Sequence, residues 1–322
     1  MPRYLVTGCA GFVGSTLVEA LLADGCEVFG VDSFNDYYPR DLKEAAIAPA
    51  QSHPKFILTA CDLAESLPEE ALDGVDGIFH LAGRPGVRAS WGASFRAYVH
   101  DNVLGTHRVV EQAASRGNRL VLASSSSVYG DALAHPTPEE TVPAPVSPYG
   151  VTKLAAEQLA AAQHRNAALD FVGLRYFSLY GPRQRPDMAF SRIIAALVEE
   201  TAFEVYGAGD QSRDFTYVGD AVAATVEAMR LAPSGAVYNV GAGSEATLRE
   251  AIAAVEELSG VTVEVRYGEH AAGDVRRTLA DTTKIRAELG WEPQVSLRAG
   301  LIAMLDAAGV PERATQPVPR AR

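Results

Sequence analysis

Along its first half the chain alternates between short, continuous apolar runs and longer segments whose apolar residues recur at helical spacing. RYLVTG is an apolar run, and FVGSTLVEALLADG after it has helical spacing and ends in glycine. EVFGVD, KFILTACD and GVDGIFHLAG are three further runs. FRAYVHDNVLGTHRVVEQAASRG reads as helix, RLVLASS as strand, PYGVTKLAAEQLAAAQHR as helix and LDFVGLRYFSLYG as strand. Strands without polar alternation are covered on both faces, and strand–helix alternation builds parallel sheets through crossover helices. The pattern therefore predicts an α/β fold with a doubly wound parallel sheet. After YGPRQRP (180–186) the elements shorten and mix, which predicts a smaller mixed α/β lobe. GAVYNVGAG reads as one more strand, returning to the first sheet.

Composition narrows the function. The 322 residues are 48% hydrophobic and 21% charged, enough for a large buried core. The net charge of −12 argues against a general nucleic-acid surface, which needs a basic face. A small anionic ligand needs only a few local arginines. Cys9, Cys26 and Cys61 are odd in number and match no metal-ligand spacing, so no metal is expected. Buried, reduced thiols fit a cytoplasmic protein. No run of 18 apolar residues exists, so no membrane partner is expected, and the N-terminal apolar stretch is broken too early for a signal peptide.

Gly8, Gly11 and Gly14 lie between the first strand and the first helix, spaced G-x-x-G-x-x-G. Such a turn lets backbone N–H groups approach a pyrophosphate at a helix N-terminus. Asp32 closes the next strand, 18 residues past Gly14, where a carboxylate suits adenosine ribose hydroxyls. It would repel a 2′-phosphate, and Ser33 and Phe34 add no cation, so the expected cofactor is NAD rather than NADP. Asp62 suits the adenine edge or a solvated loop. The expected division is an NAD-binding Rossmann domain over 1–177, with a returning segment near 215–242. Residues 178–322 are mainly a substrate-binding lobe, ending in a disordered tail near 311–322.

SPYGVTK places Tyr149 and Lys153 at i, i+4, on one helix face, either as a surface pair or as a phenol activated by a cation one turn away. The hydroxyl-rich end of a strand, SSSSVYG (124–130), precedes them. Together with HLAG (80–83), DNVLGT (101–106), RYFSLYGP (175–182), VYGAGDQSRDFTYVGD (205–220) and YNVGAG (238–243), the chain resembles the extended short-chain dehydrogenase/reductase family, in particular its nucleotide-sugar epimerases and dehydratases. The resemblance covers nearly the whole chain. It implies an NAD reduced and reoxidised within one turnover. Tyr149 would take the sugar O4 proton, with Ser125 bonded to the same oxygen and Lys153 in support. It also implies cofactor contacts from Phe12, Val13, Leu63, Leu81, Ala82, Gly83, Asn102, Ser124 and Tyr176, besides Gly8, Gly11, Gly14, Asp32, Asp62, Tyr149 and Lys153.

Departures inside the family point to the sugar. DSFNDYYPRDLKEA (32–45) and RPGVRASW (84–91) resemble the loops of uronate 4-epimerases, and Ser178 follows Phe177 where many hexose epimerases have asparagine. Ser126 and Ser127 stand where dehydratases of the family hold an Asp–Glu pair. Ala271 stands where the family often has arginine. The resemblance thus implies conversion of UDP-glucuronate to UDP-galacturonate through a 4-keto sugar. Alternatives are a UDP-glucose 4-epimerase, a UDP-glucuronate decarboxylase, or an NAD-binding protein without turnover. Substrate contacts are expected from Pro85, Gly86, Arg88, Ser125, Ser126, Tyr149, Ser178, Arg185, Val205, Tyr206, Gln211, Arg213, Asp274 and Arg276. Arg213 is the first diphosphate candidate, and Arg192 is either a further cation or a solvated helix residue. A homodimer is implied through the helices holding 95–116 and 149–165, where Val151, Leu154, Ala155, Gln158 and Leu159 form a stripe that core packing would also explain.

Overall fold

The computed structural model describes residues 1–269 and 273–311. Ala271 and all but the first residue of the expected tail lie outside the described residues. The chain runs β1 (Arg3–Thr7), α1 (Phe12–Ala23), β2 (Glu27–Asp32), α2 (Arg40–Gln51), β3 (Phe56–Ala60), β4 (Gly77–His80), α3 (Phe95–Tyr98), α4 (Gly105–Arg116), β5 (Arg119–Ser125), α5 (Pro148–Ala167) and β6 (Phe171–Tyr176). It continues through β7 (Ser178–Tyr180), α6 (Ala189–Val198), β8 (Phe203–Tyr206), β9 (Ser212–Arg213), β10 (Phe215–Tyr217), α7 (Val218–Leu231) and β11 (Val237–Val240). The last elements are β12 (Ala246–Thr247), α8 (Leu248–Ser259), β13 (Val265–Gly268), α9 (Thr283–Leu289) and α10 (Leu297–Ala307).

Seven strands form one sheet in the order β11-β6-β5-β4-β1-β2-β3. Every pairing in it is parallel. All of β4 and β6 and six of the seven residues of β5 are buried, as a sheet covered on both faces requires. One apolar cluster on the sheet includes Leu17, Phe79 and Val121, and another includes Leu5, Ile78 and Leu122. A further cluster, from Tyr180 and Phe190 to Leu301 and Leu305, is the core of the smaller lobe.

Three departures from the sequence pattern place side chains. The run 169–181 is two strands, because β7 leaves the main sheet to pair with β10. The helix over 95–116 contains a π-helical turn at Val99–Leu104. There Asn102 is buried, accepting from Arg84 N at 2.6 Å and donating to Arg84 O and to Thr152 Oγ1. The return to the first core extends past 242, since Ile285, Leu289 and Trp291 pack into it. The stripe on α5 is not core: Val151 and Gln158 are exposed and Leu154, Ala155 and Leu159 half-buried. Cys9 and Cys26 are buried, whereas Cys61 is only partly so.

Asp214 ties β10, the segment after β11 and the segment before α9 together. Its buried carboxylate accepts from Ala242 N (2.7 Å), Gly243 N, Ala280 N and Thr216 Oγ1 (the last three at 3.1 Å). Unpaired buried donors cost about 1–3 kcal/mol each, so Asp214→Ala is expected to lower stability by about 3 kcal/mol in urea unfolding. Burial raises the pKa of this carboxyl to about 6, despite the donors that lower it. Its contribution is therefore fully present below the unfolded value of about 4 and lost as pH rises through 6. The stability gap between parent and variant should be wider at pH 4 than at pH 7.

Candidate active site

The carboxyl ends of β1, β2 and β4 open onto a cleft. Gly8, Gly11, Phe12, Val13, Gly14, Asp32, Asp62, Leu63, Leu81, Ala82 and Gly83 all line it, so most of the expected cofactor set is brought together. Gly8 has φ +70°, and a Cβ there would stand 2.7 Å from Ala82 N. A Cβ on Gly14 would run into the Gly8 carbonyl, so strand end, loop and helix pack backbone to backbone. Gly11 caps α1 without a side-chain hydrogen bond, which leaves helix N-terminal N–H groups for an anion. Asp32 Oδ2 accepts from Ala10 N (3.1 Å) and Oδ1 from Phe34 N (2.8 Å). Its pKa is nonetheless raised, because burial outweighs those bonds and the charge of Lys43. A glycine cradle, an uncapped helix start and a carboxylate at the end of β2 fit a dinucleotide with a free adenosine ribose.

Lys43 is the residue that sequence reading missed. It lies on α2, a helix not anticipated, and lines the same cleft, with Nζ donating to Asn35 O (2.6 Å) and Asn35 Oδ1 (2.8 Å). The signal was present: Lys43, Ala46, Ile47 and Ala50 fall on one helix face, and all are buried. Asn35, Tyr37 and Tyr38 of the preceding loop line the cleft as well.

Pro85 and Arg185 also line the cleft, and Arg185 acts on Tyr149 of α5. Ser147 caps α5 by accepting from Gly150 N at 3.1 Å, and Pro148 occupies its first turn. This sets Tyr149 at the mouth of the helix and Lys153 one turn on. Burial raises the Tyr149 phenol above its ordinary pKa, and a hydrogen bond to Ser125 and the positive charge of Arg185 pull it back down. Arg185 therefore adds a positive charge near Tyr149, besides Lys153 one turn along the same helix. Lys153 is buried, donates to Ala123 O at 2.7 Å, and has its pKa lowered by burial to about 8, with Glu157 opposing the shift. Arg185 is bonded to Asp187 through Nε at 3.0 Å, and Asp187 also accepts from Tyr37 Oη. Tyr98, edge-on to Tyr149 at 6.3 Å, donates to Pro85 O and Gly86 O and so fixes the loop beside it.

The four serines divide their work, and Ser124 turns inward rather than toward the cofactor cleft. Ser125 is the cap, accepting from Ser127 N at 3.1 Å, which leaves its own O–H free to donate. Ser124 donates to Glu157 inside the protein at 2.6 Å. Ser126 and Ser178 are half-buried. Of the expected cofactor contacts, Asn102, Ser124, Tyr149, Lys153 and Tyr176 are not among the residues lining the cleft; the polar groups of Asn102, Ser124 and Tyr176 are engaged internally, Tyr176 with Thr225.

A second group of expected residues meets around Tyr206. Val205 and Tyr206 line one cavity, and Tyr206, Gln211, Asp274 and Arg276 line its neighbour. The Arg88 guanidinium stacks 4.0 Å from the Tyr206 ring centroid and pairs with Asp274 at 2.5 Å, while Arg192 stands 5.4 Å from the same ring. Arg213, partly buried, donates to Ser212 O at 2.8 Å and has no carboxylate within ion-pair distance among the described residues.

Residues 4–241 match the model of the NAD dependent epimerase/dehydratase family, and the chain belongs to that family. It is 36% identical to a UDP-glucuronate 4-epimerase of Thermodesulfobacterium geofontis, over 94% of each chain. It is 38% identical to an uncharacterized UDP-glucose epimerase, YtcB, of Bacillus subtilis, over 93% of this chain and 95% of that one. A crystal structure of UDP-glucuronic acid 4-epimerase from Bacillus cereus with UDP-glucuronic acid and NAD superposes with a TM-score of 0.92 at 37% identity, covering 95% of this chain and 99% of the other. The chain is therefore an NAD-dependent enzyme of the epimerase/dehydratase class, with the Rossmann sheet that the family shares.

Tyr149→Phe removes the ionisable phenol and little else. Turnover of a UDP-sugar is expected to fall by ~10²–10⁴-fold, the scale of a lost acid/base group. Binding of the nucleotide measured by calorimetry should stay within a few-fold of the parent; unchanged turnover would place the base elsewhere.

Proposed function

We propose that the chain is a UDP-glucuronate 4-epimerase that interconverts UDP-glucuronate and UDP-galacturonate. The observation that carries this reading is the strand end Ser124–Ser127. It sets hydroxyls beside Tyr149 and the cofactor cleft, and it holds no carboxylate at the positions where dehydratases of the family have two. A uronate brings its own negative charge, which hydroxyl donors accommodate and acidic side chains would repel. The Bacillus cereus structure, bound to UDP-glucuronic acid and NAD, supports the same substrate.

NAD would be held by the Gly8–Gly14 cradle and Asp32, and when bound it takes up and returns a hydride. Tyr149 removes the proton of the sugar O4 hydroxyl and later restores it. Arg185 lies where its charge favours the phenolate. Ser125, whose lone pair is occupied by Ser127 N–H, donates to the same sugar oxygen. Lys153 holds its charge beside the nicotinamide ribose. Ser126, Ser178 and Arg185 face the carboxylate. Arg213, with no carboxylate of its own, takes the diphosphate, helped by Arg88 and Arg276. The partly exposed α5 stripe of Val151, Leu154, Ala155, Gln158 and Leu159 is the contact of a homodimer, and the protein works in the cytoplasm.

The relative described as a UDP-glucose epimerase favours a second reading, hexose epimerisation. Specificity constants for UDP-glucuronate and UDP-glucose decide between them, with products separated by chromatography and identified by mass. The proposal expects the higher value for the uronate and UDP-galacturonate as its product. A higher value for UDP-glucose would make the protein a hexose epimerase, and release of a decarboxylated pentose would make it a decarboxylase.

A further inference from the structure

Three side chains on one face of α5, at i, i+4 and i+8, grip three consecutive residues of β5. Tyr149 lies beside Ser125, which lowers its pKa, Lys153 Nζ donates to Ala123 O (2.7 Å), and Glu157 Oε2 accepts from Ser124 Oγ (2.6 Å). Tyr149 and Lys153 belong to the candidate site, whereas nothing described so far uses Glu157. It is buried, 3% exposed, beneath that site. Its carboxylate pairs with Arg175, through Nη2 at 2.7 Å and Nε at 3.0 Å. Ser124 and Arg175 are direct cross-strand partners of β5 and β6, so both side chains reach Glu157 from the same side of the sheet. Arg175 goes on to donate to Tyr129 Oη and Glu139 O, and Tyr129 donates to Asn239 on β11.

A buried ion pair is weak evidence for stability, since apolar residues of the same volume serve as well or better. Its place under the reacting groups calls for another role. From this geometry we infer that Glu157 is a positioning residue for the Ser125–Tyr149–Lys153 site, acting through Ser124 and Lys153. Ser125 is aimed by the strand end that Ser124 anchors. The Lys153 ammonium sits in a desolvated site and is supported by a negative charge one turn away. Burial alone pushes Lys153 down, and Glu157 is the group that opposes this. The titratable and charged neighbours are Tyr149 and Glu157 on α5, His80 on β4 and Arg175 on β6. His80 is locked between Thr7 and Thr106, with a pKa of about 3, so it stays neutral across the working range.

The inference rests on the proposed function only for its turnover arm, and the test has an arm that needs no substrate. The chain has four lysines, Lys43, Lys55, Lys153 and Lys284. Side-chain ¹³C-lysine NMR of the NAD-loaded protein can therefore follow Lys153 through pH, with Lys153→Met assigning its signal. In Glu157→Gln the Lys153 midpoint should fall by about one pH unit relative to the parent. Turnover of whichever UDP-sugar the parent uses should fall ~10-fold or more, with KM within twofold. Glu157→Asp keeps the charge and the Arg175 pair but withdraws the carboxylate from Ser124. It should hold the Lys153 midpoint near the parent's while kcat falls ~5-fold or more. An unmoved Lys153 midpoint in a folded, NAD-retaining Glu157→Gln would overturn the electrostatic part. Should Glu157→Gln not fold, Glu157→Asp decides, and parent-like kcat there overturns the positioning. If the parent turns over none of the nucleotides, the functional reading has failed, and the NMR arm still judges this one.

Discussion

Everything at this site hangs on the docking of one helix against the end of one strand. A parallel sheet delivers its strands' carboxyl ends to a single edge, and the side chains there need an outside element to fix them. α5 supplies it, with Tyr149, Lys153 and Glu157 meeting Ser125, Ala123 and Ser124 in turn. Burying an ammonium and a carboxylate is costly unless every hydrogen bond is satisfied. That cost makes the arrangement specific, because a small slip of α5 along β5 would leave Lys153 without Ala123 O and Glu157 without Ser124. The phenol is thereby held beside the dinucleotide cleft within tolerances that a surface loop would not give.

The second half of the site solves a charge problem. An acidic chain has to collect cations for an anionic ligand, and it does so around Tyr206, with Arg88 and Arg192 against the ring and Arg213 close by. Arg88 bridges from the loop after β4 to Asp274 in the smaller lobe, so an ion pair joins the two lobes. Burial lowers the pKa of Arg213, and Asp274 draws it back up. A diphosphate entering here would take over part of the role that Asp274 plays, which is cheap because Arg88 and Asp274 are both partly solvated.

The sheet was legible in the sequence because its strands are apolar throughout and its helices carry helical spacing. The return of β11 to the first sheet followed the pattern, whereas the strand order is known only from the structure. The glycine cradle, Asp32 and the Tyr149/Lys153 spacing were equally plain, since each depends on local backbone geometry. What escaped was tertiary. Lys43 reads as an ordinary helix lysine until α2 folds back over the cleft. The π turn that carries Asn102 inward leaves no trace in a helical pattern. The i, i+4 spacing made Lys153 legible as a cation near Tyr149, but not Arg185, which arrives from a loop 36 residues further on. Nor did four consecutive serines show which turns inward: Ser124 meets Glu157, and Ser125 caps the turn that follows.

In the mechanism we propose, these groups oxidise and re-reduce one carbon of the sugar without releasing the hydride. The most direct test is incubation of the purified protein with UDP-glucuronate carrying deuterium at C4, followed by mass and NMR analysis of the UDP-galacturonate formed. This mechanism predicts that the product keeps its deuterium at C4 and that, in a parallel reaction in ²H₂O, unlabelled substrate gains none at that carbon. Loss of the label to solvent would mean that the carbon is inverted by deprotonation, and would contradict it.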